Sequence, residues 1–546
     1  MTYLTLSLDV PKQQLIFRVN DHPSTQAPFD ARDTRLLRQL SVRYSQAMHE
    51  PRELAAIGGA LAQWLDAKHA WFERVLDADL PPPLQLEIHS PARLMTRAHA
   101  ALINAPWELL HHRDTFLCID TASMLIPARR IGTPAATHAS AAPLGILFMA
   151  AAPADQDLLD FEQEESAILE SCRHLAVNIA VEETGTLLEL RAHLSRRRTR
   201  THILHLVCHG IDNPPGLILE DDLGRSIHTT PDEIYAAIGP DRAQSLGLLF
   251  LSACFTASPD VASLALGLAR ANFPAILGWA SAVRDKSART FAAKLFAELA
   301  RGDTTLQVAV AQARRDAYLT QLPDWHLARL YLGPNGGGQI ISNIETPVSR
   351  PPIAFLDETN RRLQVASFET FVGRRTELKS AIRHLRQPEA TTLLIHGPGF
   401  SGKSSLAARI ASRMEHRKVV IHKVFVAAGI FESLYNALGS VLTDWYISTR
   451  RLDDTPASED IRLFHYLRDL LDNHLPEDQP ILLILDDCEH ALEQVDGSHR
   501  PTAMHVPLIT ALVRAFNTTR SKSRLLITSR FAFSLASLAQ GTEIQT

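Results

Sequence analysis

The sequence has 546 residues, 46% of them hydrophobic and 21% charged, and a formal net charge of −5 at pH 7. This length predicts several packed domains, and the small charge excludes a general electrostatic attraction to nucleic acid or to an anionic membrane. The five cysteines are scattered, which argues against a disulfide framework, and the N-terminus has no basic leader or long apolar run. These features favour a cytoplasmic location.

A segment of small residues and prolines at 132–143 divides the first part of the chain. Before it, residues 1–131 mix strand-like and helix-like patterns, which predict a non-catalytic α+β half. After it, residues 144–333 alternate short apolar strands with helices. This alternation predicts an α/β fold whose mainly parallel sheet is covered by helices on both faces.

Two of the predicted strands end in the residue types of a cysteine protease. The strand at 202–208 runs into His209 and Gly210, and the strand at 248–252 is followed closely by Cys254. Because the carboxyl ends of parallel strands meet at one sheet edge, we expect His209 and Cys254 to lie side by side. The imidazole would then accept the thiol proton and later donate it to a leaving amine.

A histidine and a cysteine on buried strands can also be ordinary core residues, so each nearby candidate has a structural alternative. Cys208 is expected on the strand face opposite His209, as a core thiol, because neighbouring strand residues point to opposite faces. His202 and His205 are interpreted as interior histidines. No C-x-x-C spacing is present, and a zinc site is not predicted.

A second boundary, rich in glycine and proline, predicts a linker over residues 334–368 and a separate α/β domain over 369–546. In this domain a strand at 391–396 runs into GPGFSGKS at 397–404, which matches the G-x-x-x-x-G-K-S phosphate loop. Backbone N–H groups of such a loop surround phosphates, Lys403 offers a charge to the outer phosphates, and Ser404 offers a hydroxyl to Mg²⁺. The sequence therefore predicts ATP or ADP with Mg²⁺ as cofactors.

Two later strands of this domain end in charged residues. The strand at 481–485 precedes Asp486, which suits Mg²⁺ through a bridging water. Either Asp487 or Glu489 is a candidate for polarising the attacking water. The strand at 524–529 delivers Arg530 to the same edge. No [N/T]-K-x-D tetrapeptide is present, so guanine specificity has no support.

Residues 84–332 resemble the CHAT domain, a caspase-like cysteine peptidase unit of the clan that includes caspases, separases and gingipains. The resemblance rests on PWELL at 106–110, HLVCHG at 205–210 and LSAC at 251–254. It implies an acyl transfer in which Cys254 attacks the scissile carbonyl and His209 acts as base and then as acid. The backbone N–H groups of Gly210 and Cys254 are expected to hold the oxyanion.

The resemblance also bears on cleavage specificity, because the position two before the nucleophile lines the primary pocket in this clan. Here that residue is Ser252, which does not support a strict preference for aspartate or arginine. Asp155 and Asp157, just after the strand at 144–151, are candidates to line the same pocket and would restore a basic preference.

Residues 371–530 resemble STAND-type signalling NTPases. FVGRRTE at 371–377 matches the opening motif of that family, and the phosphate loop, the acidic strand and TSR at 528–530 follow in order. In the family the opening motif holds the nucleotide through its backbone and its arginine. The residues predicted to bind nucleotide are Val372, Arg374, Gly397, Pro398, Gly399, Phe400, Ser401, Gly402, Lys403, Ser404, Ser405, Asp486, Asp487 and Arg530, with Ser404 and Asp486 on Mg²⁺.

The pairing of the two units resembles bacterial immune receptors that fuse a caspase-like effector to a nucleotide switch. It implies an ATP-regulated endopeptidase that forms a homo-oligomer on activation and cleaves one dedicated protein in stress or antiphage defence. Such receptors continue into a winged-helix region and a repeat sensor, whereas this sequence ends at Thr546. The sequence is therefore interpreted as an incomplete receptor, or as one that uses the sensor of another chain, and a trigger or sensor partner is expected. The alternative is an assembly scaffold whose caspase-like domain is catalytically silent.

Overall fold

The computed structural model divides the chain into two compact units, Met1–Ser349 and Arg350–Thr546. In the first unit it describes residues 2–342, except 21, 69, 79, 94, 136–138, 158, 197–199 and 260–262. In the second unit it describes residues 354–357, 362–366, 371, 373–414, 416–423, 429–430, 433–434, 459–533 and 542–545.

The first unit contains strands and helices in alternation. Its strands are β1 (Thr2–Asp9), β2 (Gln14–Val19), β3 (Thr25–Pro28), β4 (Leu84–Ser90), β5 (His111–His112), β6 (Thr115–Phe116), β7 (Leu125–Ile131), β8 (Leu144–Ala150), β9 (Val177–Glu182), β10 (Ile203–Val207), β11 (His209–Ile211), β12 (Gly216–Glu220), β13 (Ser226–Thr229), β14 (Leu248–Ser252), β15 (Ala275–Trp279) and β16 (Ala328–Leu332). Its helices are α1 (Ala31–Gln46), α2 (Pro51–Asp66), α3 (Trp71–Asp77), α4 (Arg97–Asn104), α5 (Phe161–Ser171), α6 (Leu187–Arg196), α7 (Pro231–Ile238), α8 (Pro240–Ser245), α9 (Leu264–Arg270), α10 (Asp285–Ala300) and α11 (Leu306–Leu319).

The second unit is built in the same alternating manner. Its strands are β17 (Ala354–Asp357), β18 (Arg362–Val365), β19 (Thr392–His396), β20 (Arg417–His422), β21 (Ile481–Asp486), β22 (Leu492–Val495), β23 (Ser498–Pro501), β24 (Arg524–Ser529) and β25 (Thr542–Gln545). Its helices are α12 (Arg375–Arg386), α13 (Lys403–Arg413), α14 (Glu459–Asp469) and α15 (Val506–Thr518).

An 11-stranded sheet in the order β3-β2-β1-β4-β7-β16-β15-β14-β10-β8-β9 forms the centre of the first unit. The β8, β10 and β14 strands pair in parallel, and every residue in them is buried. Long apolar runs of this kind form strands that are covered on both faces. The predicted α/β class, with a mostly parallel sheet flanked by helices, is confirmed.

The segment at 132–143 connects two strands of this same sheet, β7 and β8. Residues 1–131 and 144–333 therefore share one sheet, and their buried side chains belong to one apolar core. The N-terminal half extends the sheet that carries the candidate catalytic strands.

The predicted linker from residue 334 is corrected by the structure. Arg130 donates to the carbonyl oxygens of Gly333 and Gly336, each at 2.8 Å, and Ile340 and Ile341 are buried in the first unit. On the other side, β17 and β18 form an antiparallel pair whose Leu356 packs in the second unit's core. Glycine and proline here mark tight packing, and only 343–353 lie between these packed segments, outside the described residues.

The PWELL motif is an internal packing feature of the first unit. Trp107 donates from Nε1 to the Leu102 carbonyl oxygen at 2.8 Å, and Arg129 donates to both carboxylate oxygens of Glu108 at 2.6 and 2.9 Å. The side chains of Arg129 and Glu108 are almost fully buried. This ion pair joins the 3-10 turn at 107–109 to β7.

The second unit has a five-stranded sheet in the order β20-β21-β24-β19-β25, and its neighbouring strands are all parallel. The phosphate-loop strand β19 thus lies directly beside β24, which is followed by Arg530. The acidic strand β21 lies on the far side of β24. The C-terminal ends of these strands converge on one edge. Across the described parts of both units, no helix has the length and apolar character to cross a membrane.

Candidate active site and nucleotide loop

The candidate nucleophile and base are brought together by the pairing of β10 with β14. These strands are parallel and in register, with Val207 opposite Ser252, so the chain leaves both strands at the same level of the sheet. A methyl group built on Gly210 would lie 1.9 Å from the carbonyl oxygen of Cys254. Gly210 is therefore needed for the close approach of these two chain segments.

A small cleft opens at this edge. Its walls come from the loop after β8, the start of α5, the ends of β10 and β14, and the start of α10. The polar side chains that line it are those of Asp160, Glu164, His209, Ser252, Cys254 and Asp285.

The imidazole of His209 is oriented by a backbone carbonyl. Its Nε2 lies 2.8 Å from the carbonyl oxygen of Asp157, in the loop between β8 and α5. A carbonyl oxygen only accepts, so Nε2–H donates and Nδ1 keeps the lone pair that a general base needs. No sequence motif marks this interaction, because any residue at 157 supplies the same carbonyl.

Cys254 is the one thiol of the five that is only partly buried. Burial raises the pKa of the Cys254 thiol, a backbone hydrogen bond involving Val283 lowers it, and the charge of Asp285 raises it again. The pKa values of Cys118 and Cys488 are raised by burial to about 12. Cys254 therefore rests as a thiol and is the most accessible of the five.

Of the three residues predicted to line the specificity pocket, the structure places Ser252 in the cleft. Ser252 donates to Oε1 of Glu164 at 3.1 Å. Asp155 instead accepts hydrogen bonds from the backbone and hydroxyl of Ser226, at 2.9 and 2.7 Å, and does not line the cleft. Asp157 contributes its backbone carbonyl to His209, and its exposed side chain does not line the cleft.

Glu164, which the sequence interpretation missed, is the buried carboxylate of this cleft. It lies in the first helical turns of α5 with 5% of its surface exposed. Sequence offered one signal, the acidic run EQEE at 162–165, which begins at the start of the helix that follows β8. Its position on the helix face toward the cleft depended on the packing of α5.

The neighbouring histidines and Cys208 are buried, as expected. The backbone N–H of Gly145 donates to Nδ1 of His202 at 2.9 Å, and His205 stacks on Phe250 with ring centroids 4.6 Å apart. Burial raises the pKa of Cys208.

In the second unit, the phosphate loop connects β19 to α13. Gly402 caps α13 with φ +85°, and Lys403 donates from Nζ to the carbonyl oxygens of Gly397 and Pro398 at 3.0 and 2.8 Å. Burial lowers the pKa of Lys403, and the charges of Glu489 and Asp487 raise it. The lysine is held inside the loop, where it can exchange carbonyl contacts for phosphate oxygens.

The residues predicted to hold Mg²⁺ are in direct contact. Ser404 donates from Oγ to Oδ1 of Asp486 at 2.9 Å, and Thr528 donates to the same oxygen at 2.7 Å. The other carboxylate oxygen of Asp486, Oδ2, lies 3.0 Å from Nδ1 of His422. A hydroxyl and a carboxylate at a helix N-terminus are oxygen donors that suit Mg²⁺.

Arg530 extends over the phosphate loop. A methyl group built on Gly399 would meet the Arg530 guanidinium carbon at 3.5 Å. The Nε atom of Arg530 lies 3.0 Å from Oε1 of Glu489, and its backbone N–H donates to Oε2 at 3.2 Å. Glu489 is thus engaged by an arginine, and Asp487 lies 3.3 Å from Lys423.

The remaining residues that the sequence predicts to bind nucleotide lie in different surroundings. The hydroxyl of Ser405 accepts from the backbone N–H of Ala366 at 3.0 Å, which ties α13 to the β17–β18 pair. The Phe400 side chain is fully exposed at the loop tip, and Arg374 caps α12 with φ +56°. Ser401 donates its backbone N–H to the Pro398 carbonyl oxygen at 3.4 Å. Val372 lies outside the described residues.

Comparisons with solved structures give matches of low overall similarity. The Walker-type ATPase PABY2304 of Pyrococcus abyssi shares 15% identity over 30% of this chain and 47% of its own, with a TM-score of 0.21. Two structures of the Saccharomyces cerevisiae separase–securin complex share 10% identity over 61% of this chain and 30% of theirs, with TM-scores of 0.33 and 0.31. This chain therefore spans less than half of each of these three chains. A comparison with curated proteins finds no match.

Comparison with protein families gives two matches, one in each part of the chain. The family described as AAA ATPase domain matches residues 370–527. The family described as CHAT domain matches residues 60–351. Because that match covers more than half of the 546 residues, the chain belongs to the CHAT domain family, and it carries an AAA ATPase domain in its second unit.

Proposed function

We propose that this protein is a cysteine endopeptidase whose activity is controlled by its ATP-binding unit. The observation that carries the proposal is the cleft that Cys254 and His209 both line, with Nε2 of His209 fixed by the Asp157 carbonyl. A nucleophile, a base and a group that orients the base are the parts that covalent acyl transfer requires.

In the proposed reaction, Nδ1 of His209 accepts the thiol proton as Sγ of Cys254 attacks the scissile carbonyl carbon. The oxyanion of the tetrahedral intermediate is stabilised by the backbone N–H groups of Gly210 and Cys254. The intermediate collapses as the His209 imidazolium donates its proton to the leaving amine, which leaves a thioester on Cys254. Water, deprotonated by His209, then attacks the thioester and releases the acid and the thiol.

The raised pKa of Cys254 fits a dyad in which proton transfer accompanies attack. A thiol that is protonated at rest is a poor nucleophile, so His209 has to remove the proton during the reaction.

The second unit would bind ATP or ADP through the phosphate loop at 397–404, with Lys403 on the outer phosphates and Mg²⁺ held by Ser404 and Asp486. When bound, the metal neutralises phosphate charge. Arg530, which lies against Gly399, is positioned to sense the outer phosphate. A STAND-type assignment of this unit is part of the proposal and rests on the opening motif at 371–377 and on TSR at 528–530.

The resemblance to bacterial immune receptors supports a role in stress or antiphage defence, with one dedicated protein as substrate, a separate trigger or sensor partner, and a homo-oligomer as the active form. A second candidate function is an ATP-dependent assembly scaffold with a silent caspase-like domain. The observation that favours this second function is the raised pKa of Cys254, since many catalytic cysteines have a lowered pKa.

The test is proteome-wide mass spectrometry of protein N-termini in cells that express the full chain or its Cys254→Ala variant. The proposal predicts new N-termini in one or a few proteins that are present with wild type and missing with the variant. Identical N-termini in the two samples, under conditions in which the full chain forms its oligomer, would favour the scaffold.

A further inference from the structure

We propose that Glu164 recognises a basic side chain of the substrate, so that the peptidase cleaves after arginine or lysine. The inference rests on the proposed endopeptidase function and adds the class of residue on the acyl side of the scissile bond. Glu164 would be a substrate-binding residue of the same cleft that holds Cys254 and His209.

The geometry of Glu164 leaves one carboxylate oxygen for a ligand. Its contacts with Ser252, at 3.1 Å, and with Nε2 of His205, at 3.0 Å, are both made at Oε1. Among the described residues, none is hydrogen-bonded to Oε2. Both partners belong to the sheet, His205 in the middle of β10 and Ser252 at the end of β14, so these two contacts hold the carboxylate against this part of the sheet.

The cleft has a strongly negative lining. Asp160, Glu164 and Asp285 contribute three carboxylates, and the described lining residues include no lysine or arginine. Two basic side chains contact this set from outside the lining: Nε2 of His205 lies 3.0 Å from Oε1 of Glu164, and Nη1 of Arg289 lies 3.7 Å from Oδ2 of Asp160. Glu164 is itself buried, with 5% of its surface exposed.

A buried carboxylate beside a nucleophile makes discrimination between side chains strong. A charged group taken out of water is stabilised when an opposite charge arrives with hydrogen bonds, and it repels a like charge in the same low-dielectric site. A guanidinium or ammonium group would donate to Oε2, whereas an aspartate side chain of a substrate would meet three negative charges. An apolar side chain would leave Oε2 buried without a donor.

The position two residues before the nucleophile then acquires a different role. Ser252 is too short and uncharged to bind a cation, but its hydroxyl fixes the rotamer of Glu164. The charge that selects the substrate is thus supplied from α5, and Ser252 is a positioning residue for it. This arrangement explains how a serine at position 252 is compatible with a basic preference.

The test uses the purified full chain fused to an inducible dimeriser, with the inducer present. Its probes are irreversible peptidyl acyloxymethyl ketones that differ only in the residue next to the reactive ketone: arginine, lysine, glutamine, leucine or aspartate. The rate at which each probe labels Cys254 is followed by mass spectrometry of the intact protein. We expect the arginine and lysine probes to label at least roughly 30-fold faster than the leucine and aspartate probes. Glu164→Gln should remove this advantage, so that the arginine and lysine probes label Cys254 no faster than the leucine probe.

Asp155→Asn is the matched control, because it makes the same carboxylate-to-amide change outside the cleft, and it should keep the basic preference. Fastest labelling by the leucine or aspartate probe in wild type would overturn the inference and leave the peptidase proposal standing. Labelling of Cys254 by none of the probes would overturn both. If Glu164→Gln does not fold, the relative labelling rates of the five probes on the wild-type chain still test the inference.

Discussion

The Nε2 atom of His209 lies 2.8 Å from the backbone carbonyl oxygen of Asp157, so the loop after β8 sets the tautomer of the candidate base. The interaction leaves Nδ1 as the basic nitrogen. It also ties the orientation of the imidazole to the path of a loop and not to the identity of a side chain.

Substitution of Asp157 by alanine is therefore expected to leave peptidase activity within about twofold of wild type, because alanine keeps the carbonyl and the Asp157 side chain is exposed. The measurement is the rate of substrate cleavage by Asp157→Ala, with His209→Ala as the inactive reference. A loss of activity comparable to that of His209→Ala would mean that the Asp157 carboxylate itself is required.

Lys403→Ala should weaken ATP binding by at least about tenfold. The substitution removes the ammonium group that now bonds to the carbonyl oxygens of Gly397 and Pro398 and that would move to the phosphates. Isothermal titration calorimetry measures the change, and Lys522→Ala is the matched control, since Lys522 is exposed just before β24 begins, at the opposite end of the sheet. Equal ATP affinity in Lys403→Ala and wild type would count against the assignment of the phosphate loop.

The buried pair between Glu108 and Arg129 predicts a stability effect with a defined pH dependence. Burial raises the pKa of Glu108, but Arg129 outweighs burial and lowers the pKa to about 2. A lowered pKa in the folded state means that the ionised pair stabilises the fold above the ordinary pKa of a glutamate, about 4.3, and that this contribution is lost as the pH falls toward about 2.

Glu108→Gln should therefore lower the free energy of unfolding of the first unit by about 3–5 kcal/mol at pH 7, because it leaves the buried Arg129 charge without its counter-ion. Urea unfolding followed by tryptophan fluorescence reports on this unit, which holds five of the six tryptophans. Glu170→Gln, at an exposed position, is the control and should change stability by less than about 0.5 kcal/mol. An equal effect of the two substitutions would contradict the argument.

Much of the architecture could be predicted from local patterns. The apolar strands that end at His209 and Cys254, and the loop at 397–404 between a strand and a helix, have signals within a few consecutive residues. Parallel strands bring such ends together whatever the rest of the sequence is, so the edge with Cys254 and the edge with Lys403 and Asp486 were both predictable.

Other features depended on contacts between distant segments and had no local signal. Glu164 enters the cleft because of the way α5 packs on the sheet, and the Asp157 contact is made by the backbone. Arg130 donates to the carbonyl oxygens of Gly333 and Gly336, so this segment is packed although its composition is typical of a linker. The position of Asp155 just after β8 favoured a place in the pocket. In the structure Asp155 instead accepts two hydrogen bonds from Ser226 on β13 and does not line the cleft.

The proposed control by nucleotide predicts that peptidase activity rises on oligomerisation. A nucleotide shifts an equilibrium only by binding one state more tightly, and a change from 1:99 to 99:1 needs about 5.5 kcal/mol of differential affinity. We expect the full chain to be mostly monomeric and idle, and to gain activity when fused to an inducible dimeriser. Cleavage is measured with and without the inducer, and Cys254→Ala in the same fusion is the control. Full activity without the inducer would exclude activation by proximity.

The rate of alkylation of each thiol by iodoacetamide, measured by mass spectrometry of the tryptic peptides, tests the central claim most directly. Cys254 is the one partly exposed thiol and lies in the cleft with His209, so it should react at least about tenfold faster than the other four cysteines at pH 7. His209→Ala should slow this reaction, because the imidazole no longer accepts the thiol proton. Comparable rates at all five cysteines, or a Cys254 rate that His209→Ala leaves unchanged, would contradict a catalytic Cys254–His209 pair.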